Sequence, residues 1–98
     1  YRLYTYQTVT NILDGKAIGP ESSLNKLFWS ELDVRLHETA LRLLGPVAEL
    51  TEKAPIAVDG GAWMKGFQFA LAGPIYAGTN EIQRDVIADR VLGLPRSR

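Results

Sequence analysis

Residues 20–44 read PESSLNKLFWSELDVRLHETALRLL, and this run decides the fold. Leu24, Phe28, Leu32, Leu36 and Ala40 recur every four residues, and Leu27, Val34, Leu41 and Leu44 add a second apolar flank. That spacing predicts one long helix with a broad apolar surface. Pro20-Glu21 suits a first helical turn, where the missing proline N–H costs nothing. Gly45-Pro46 marks the other end. At about 1.5 Å per residue the helix is roughly 37 Å long. A helix of that length, apolar over so wide a face, is expected to meet several neighbours, as in a bundle.

Working outward, about Arg2 to Asp14 places Leu3, Tyr6, Val9 or Thr10, and Leu13 on one helical face. Gly15 and Gly19-Pro20 close that segment, and Tyr1, Tyr4 and Tyr6 are read as packing residues with a polar rim. Beyond the long helix the period weakens between Val47 and Gly61. Pro55 and Asp59-Gly60-Gly61 mark a loop there, with one short helical turn after Pro46. Trp63 to Leu71 reads as a short helix with Trp63, Phe67, Ala70 and Leu71 inward, broken at Gly73-Pro74. In the last segment Thr79 or Asn80 caps a helix, and Gln83 stands three residues after Asn80, a capping-box spacing. Ile82, Val86, Ile87 and Val91 are expected inward, with Arg84, Asp85, Asp89 and Arg90 in water; Gly93-Leu94-Pro95 ends the helix. No stretch alternates with period two. The predicted class is all-α, part of an up-and-down helical bundle.

Composition narrows the function. Eleven Lys plus Arg balance eleven Asp plus Glu, and the aromatics form no stripe with basic residues. A nucleic-acid role is therefore not expected. Cysteine is absent, which removes a disulfide framework and thiolate metal sites. The one histidine, His37, cannot build an imidazole cluster and reads as a partly exposed helix residue. No apolar run reaches the roughly 20 residues of a membrane span. A cytoplasmic location follows as the expectation. In 98 residues there is room for one domain at most. The chain opens at Tyr1 directly into an amphipathic pattern, and is expected to be cut from something longer.

Motifs for phosphate loops, dinucleotide folds and zinc helices are missing from the sequence. Ser22, Ser23 and Ser30 have no histidine placed to activate them. Glu31 and Glu38 share a helix face, which reads as solvated surface. One stretch stands apart: Ile75-Tyr76-Ala77-Gly78-Thr79-Asn80-Glu81-Ile82-Gln83-Arg84. Glycine lets backbone approach a ligand closely, and the free N–H groups of a helix start favour an anion. On these residues alone, a capped helix and an anion or cofactor cradle both remain open.

The run IYAGTNEIQRDVIADRVLGLP closely resembles the C-terminal signature of acyl-CoA dehydrogenases, Ile-Tyr-x-Gly-Thr-x-Glu-Ile-Gln-Arg. The upstream GPESSLNKLFWSELDVRLHETALRLLGP resembles the long helix of that family's C-terminal bundle. Together they cover nearly the whole chain. The resemblance implies an FAD-dependent α,β-dehydrogenation of acyl-CoA thioesters, with the flavin carrying the redox chemistry. It implies a partial C-terminal bundle domain over residues 1–98, with the N-terminal helical and β domains lying outside it. It also implies a homo- or hetero-oligomer, dimer or tetramer, and the style of the tail suggests a bacterial source.

Site residues follow from the same resemblance, position by position. Gly78 is expected beside the substrate thioester, and Thr79, Asn80 and Glu81 along the FAD. Many members carry a glutamate base immediately before Gly-Thr. Here that position is Ala77, so no catalytic residue is assigned in this chain. Either the base lies earlier in the parent, as in branched-chain members, or the parent is a non-catalytic subunit that completes a partner's site. The first reading is preferred. Gly45 matches the first glycine of a Gly-Gly-x-Gly turn that approaches FAD, but Pro46 removes a donor from it. An unrelated helical binding module is the third reading, and the signature argues against it. An incomplete bundle would leave Leu24, Phe28, Leu32 and Leu36 without partners, and association of the isolated chain is expected.

Overall fold

The computed structural model describes residues 1–95. Four α-helices carry the chain: α1 (Arg2–Leu13), α2 (Glu21–Leu44), α3 (Ala62–Ala70) and α4 (Asn80–Val86). Tight 3-10 turns at Gly45–Glu49 and Val58–Gly61 lie between α2 and α3, and a π-helical turn at Ile87–Val91 continues α4. No strand occurs among the described residues, in agreement with the all-α reading. The punctuation read from the sequence holds. Helix α2 stops at Leu44, Gly45 turns into the left-handed region, and Gly93 does the same after the π-helical turn. There the Leu94 N–H reaches back to the Ala88 carbonyl at 2.8 Å, satisfying an end group that would otherwise be orphaned.

The chain divides into two compact units, residues 1–29 with the segment from Ala77 onward, and residues 30–76. In the first unit, α1 turns a polar side towards its neighbours. Thr5, Thr8 and Asn11 are half-buried, and Asn25 Nδ2 donates to Thr5 Oγ1 at 3.2 Å. The row predicted to face inward is exposed instead: Leu3 at 83% and Leu13 at 81%, with Tyr6 and Val9 also in the open. The reading of α1's inner face is thus corrected. A hydrophobic stripe identifies what wants covering, while the partner on hand, the Asn25 amide, selects a hydroxyl. Tyr1, Tyr4 and Tyr6 are likewise exposed and form no core. Ile82 and Val91, also predicted inward, are exposed, whereas Val86 and Ile87 are half-buried.

The second unit closes around small residues. Ala70 and Ala48 are buried, and the Ser30 side chain is fully so. His37 sits in the α2–α3 packing: its Nδ1 donates to the Asp33 carbonyl at 2.9 Å, and a carbonyl can only accept, so that nitrogen carries the proton. The His37 and Trp63 ring centroids are 5.8 Å apart, and the imidazole fills the space where a side chain at Gly66 would stand. Trp63 in turn donates from Nε1 to Asp59 Oδ2 at 2.9 Å, tying α3 to the Val58–Gly61 turn. Within that turn Gly61 (φ 74°) lies so close to the Leu50 carbonyl that a Cβ would be 2.6 Å from its oxygen. Leu71, expected inward, is exposed.

Helix α2 passes through both units, and its row Leu24, Phe28, Leu32 and Leu36 is exposed along its length.

Candidate functional site

The stretch singled out in the sequence forms a strained turn followed by a short helix. Ala77 has φ 53° and Gly78 has φ 84°. For glycine that region is free of penalty; for alanine it costs about 1–2 kcal/mol, because Cβ crowds the following carbonyl. The strain is held by Gln83, whose Nε2 donates to the Ala77 carbonyl at 3.0 Å and more weakly to that of Gly78 at 3.5 Å. Gln83's amide nitrogen also lies 2.7 Å from where a Cβ on Gly78 would be, so a side chain there would push the Gln83 amide aside as well as strain the backbone.

Thr79 is the N-cap of α4: its Oγ1 accepts from the Ile82 N–H at 3.4 Å, and its carbonyl accepts from the Gln83 N–H at 2.9 Å. The capping box read between Asn80 and Gln83 is therefore corrected. With the cap at Thr79, the third helical position is Ile82, and Gln83 is freed to hook the preceding turn. Asn80 instead is 4% exposed, and its Oδ1 accepts from Lys26 Nζ at 2.8 Å. That bond joins the first turns of α2 to the start of α4, residues 54 apart in sequence.

Glu81 defines the electrostatics of this end. Its carboxyl is held below the usual carboxylate value, first by its own backbone N–H and then by the Thr79 hydroxyl, with Arg84 and Lys26 adding favourable charge and slight desolvation opposing. The carboxylate thus occupies the positive end of α4 that an external anion would seek. This end of α4 is a capped helix start carrying its own anion.

Ala77, Gly78 and Glu81 are exposed and Thr79 half-exposed, so this run gathers the predicted substrate and cofactor residues on one short segment, with Asn80 as its buried anchor. Gly45 is exposed, with open space where a Cβ would be. Its place belongs to the other unit. Among the described residues, no group of three or more His, Cys, Asp or Glu could hold a metal, and no helix is long and apolar enough to cross a membrane. Glu31 and Glu38 pair loosely with Arg35 and Arg42 at 3.9 and 4.0 Å, the solvated face read from the sequence.

Sequence reasoning missed the Lys26–Asn80 bond, the Gln83 hook and the His37–Trp63–Gly66 packing. Only the last left a signal, a glycine inside an apolar helical pattern, which points to close approach.

Comparison with known proteins gives consistent matches. Two relatives are acyl-CoA dehydrogenases: IpdE1 of Mycolicibacterium smegmatis, 37% identical over 78% of this chain and 18% of its own length, and FadE26 of Mycobacterium tuberculosis, 30% identical over 98% of this chain and 25% of its own. The chain thus spans a quarter or less of the relatives it matches. A solved structure of the ChsE4-ChsE5 complex from Mycobacterium tuberculosis superposes with a TM-score of 0.86, at 28% identity, over 98% of this chain and 25% of that one. The family model for the acyl-CoA dehydrogenase C-terminal domain matches residues 1–92. With nearly its whole length inside that match, the chain belongs to the acyl-CoA dehydrogenase family as its C-terminal helical domain.

Proposed function

We propose that this chain is the C-terminal helical part of an FAD-dependent acyl-CoA dehydrogenase, where it presents a turn to the thioester and cofactor but supplies no base. The observation that carries the reading is the exposed Ala77–Gly78 turn, held open in a strained form inside the family's signature. FAD would supply the electron sink for the hydride leaving the β carbon of an acyl-CoA. The residues that would meet such a group are Gly78, whose backbone carries no Cβ, and half-exposed Thr79 and exposed Glu81 next to it, with Asn80 anchoring the backbone between them. Gly45 is the second proposed approach, with an open face but with Pro46 unable to donate.

Ala77 decides the division of labour. Its methyl group can neither accept nor hold a proton, so removal of the α proton falls to a carboxylate outside this chain. The role left to residues 77–81 is to position the substrate and exclude water. The exposed row Leu24, Phe28, Leu32 and Leu36 supports the same reading, because it is the face on which the rest of a bundle would pack.

A second reading rests on Ala77 and on Pro46: a non-catalytic subunit that completes a partner's site. The similar structure is described as a complex of ChsE4 and ChsE5, which is compatible with either homo- or hetero-oligomeric assembly here. Acyl-CoA oxidation by the purified full-length protein alone would exclude the partner-subunit reading. The direct test of the first reading is the visible spectrum of that protein. A bound flavin band supports it; a colourless, folded full-length protein that takes up no added FAD defeats it. Ala77→Glu in a flavin-loaded but inactive protein is expected to raise turnover from nothing to measurable.

A further inference from the structure

We propose that Gln83 is a positioning residue for the thioester turn, acting through the backbone of Ala77 and Gly78; this rests on the dehydrogenase reading given above. Three observations converge. Ala77 stands in the left-handed region at φ 53°, which an alanine does not hold unaided. The Gln83 amide donates to the Ala77 carbonyl at 3.0 Å and reaches the Gly78 carbonyl at 3.5 Å, across six and five residues. The same Nε2 occupies the place of a Gly78 Cβ, so the side chain underlies the turn on one side and leaves the other side to solvent.

The chemistry requires a donor of this length. A carbonyl drawn onto Gln83 fixes the peptide planes on both sides of Gly78, and with them the direction of the N–H groups available to a ligand oxygen. Gln83 itself starts from a fixed base, because its backbone N–H is bonded to the Thr79 carbonyl at 2.9 Å. The hook is therefore anchored at both ends. Gln83 touches neither substrate nor cofactor in this scheme; it sets where the turn stands.

The test uses the full-length protein. Gln83→Met keeps the length and removes the donor, and Gln83→Glu keeps the shape but faces two carbonyls with an acceptor. In a crystal structure of either variant residue 77 is expected to return to negative φ. Acyl-CoA turnover is expected to fall about tenfold or more, since small displacements of a reacting group are costly. Flavin content and melting temperature should stay as in the wild type, which separates positioning from a merely structural role. A residue 77 that keeps its positive φ in Gln83→Met overturns the inference. So does a relaxed turn with turnover within twofold of wild type. If the wild-type protein binds no flavin and oxidises no acyl-CoA, the dehydrogenase reading fails by itself, while the φ of residue 77 still decides whether Gln83 holds the turn.

Discussion

The small residues within 45–73 and the leucine row of α2 behave in opposite ways. The first region finds its partners inside the chain: Gly61 meets the Leu50 carbonyl, Gly66 the His37 ring, and Ala48 and Ala70 are buried. The second, Leu24-Phe28-Leu32-Leu36, is far more apolar and yet remains exposed. Burial here follows the availability of a partner rather than the hydrophobicity of the residue. Small residues and polar pairs make the internal contacts, while the large side chains of the row, 37–54% exposed, keep apolar surface in water. In the proposed parent, that is the surface left for the rest of the bundle.

The contrast can be broken by substitution. Gly61→Ala should have the largest effect, about 3 kcal/mol of destabilisation, because a Cβ meets backbone and the left-handed φ is lost together. Denaturant unfolding of the 98-residue chain reads this directly, and an unchanged midpoint would remove Gly61 from the set of internal contacts. Asn80→Ala should cost about 2 kcal/mol, since it strips a part-buried ammonium–amide hydrogen bond from Lys26. The paired change with Lys26→Met should cost less than the sum. Leu32→Ser should move the stability of the 98-residue chain by no more than about 0.5 kcal/mol, while lowering its self-association in sedimentation. In the full-length protein the same change should cost about 2 kcal/mol or more. Equal effects in both would mean that the row is never covered.

The smallest effect belongs to Glu81. Its folded-state pKa lies below the ordinary 4.5, so its contribution is present above that pH and is lost as pH falls through the lower folded value. Glu81→Gln should flatten the acid limb of the stability profile, with its small loss appearing above pH 4.5 and none in strong acid.

How much of this was legible in the sequence depends on what fixes each feature. Helix positions were legible, because Gly45-Pro46, Thr79 and Gly93 are local signals that act without tertiary help. The inner face of α1 was not: period analysis found Leu3, Tyr6 and Leu13, but the Asn25 side chain bonds Thr5 on another face. Gln83 was noticed for the wrong reason. Its spacing from Asn80 suggested a capping box, and a one-residue shift of the cap to Thr79 turned it into a hook on Ala77. The proposed lack of a base at Ala77 was legible only against the family signature, since an alanine announces nothing by itself. Lys26 and Asn80 gave no sign, as no local pattern joins residues that far apart.

The central claim is that this chain completes a flavin site while leaving the base to another segment. Anaerobic addition of acyl-CoA to the full-length protein, followed by its visible absorption, tests it most directly. Bleaching of the flavin band by the wild type, retained in Ala77→Gly and lost on replacing a carboxylate outside residues 1–98, is the predicted result. A full-length protein that binds flavin and acyl-CoA yet never bleaches, with or without a partner subunit, would contradict it.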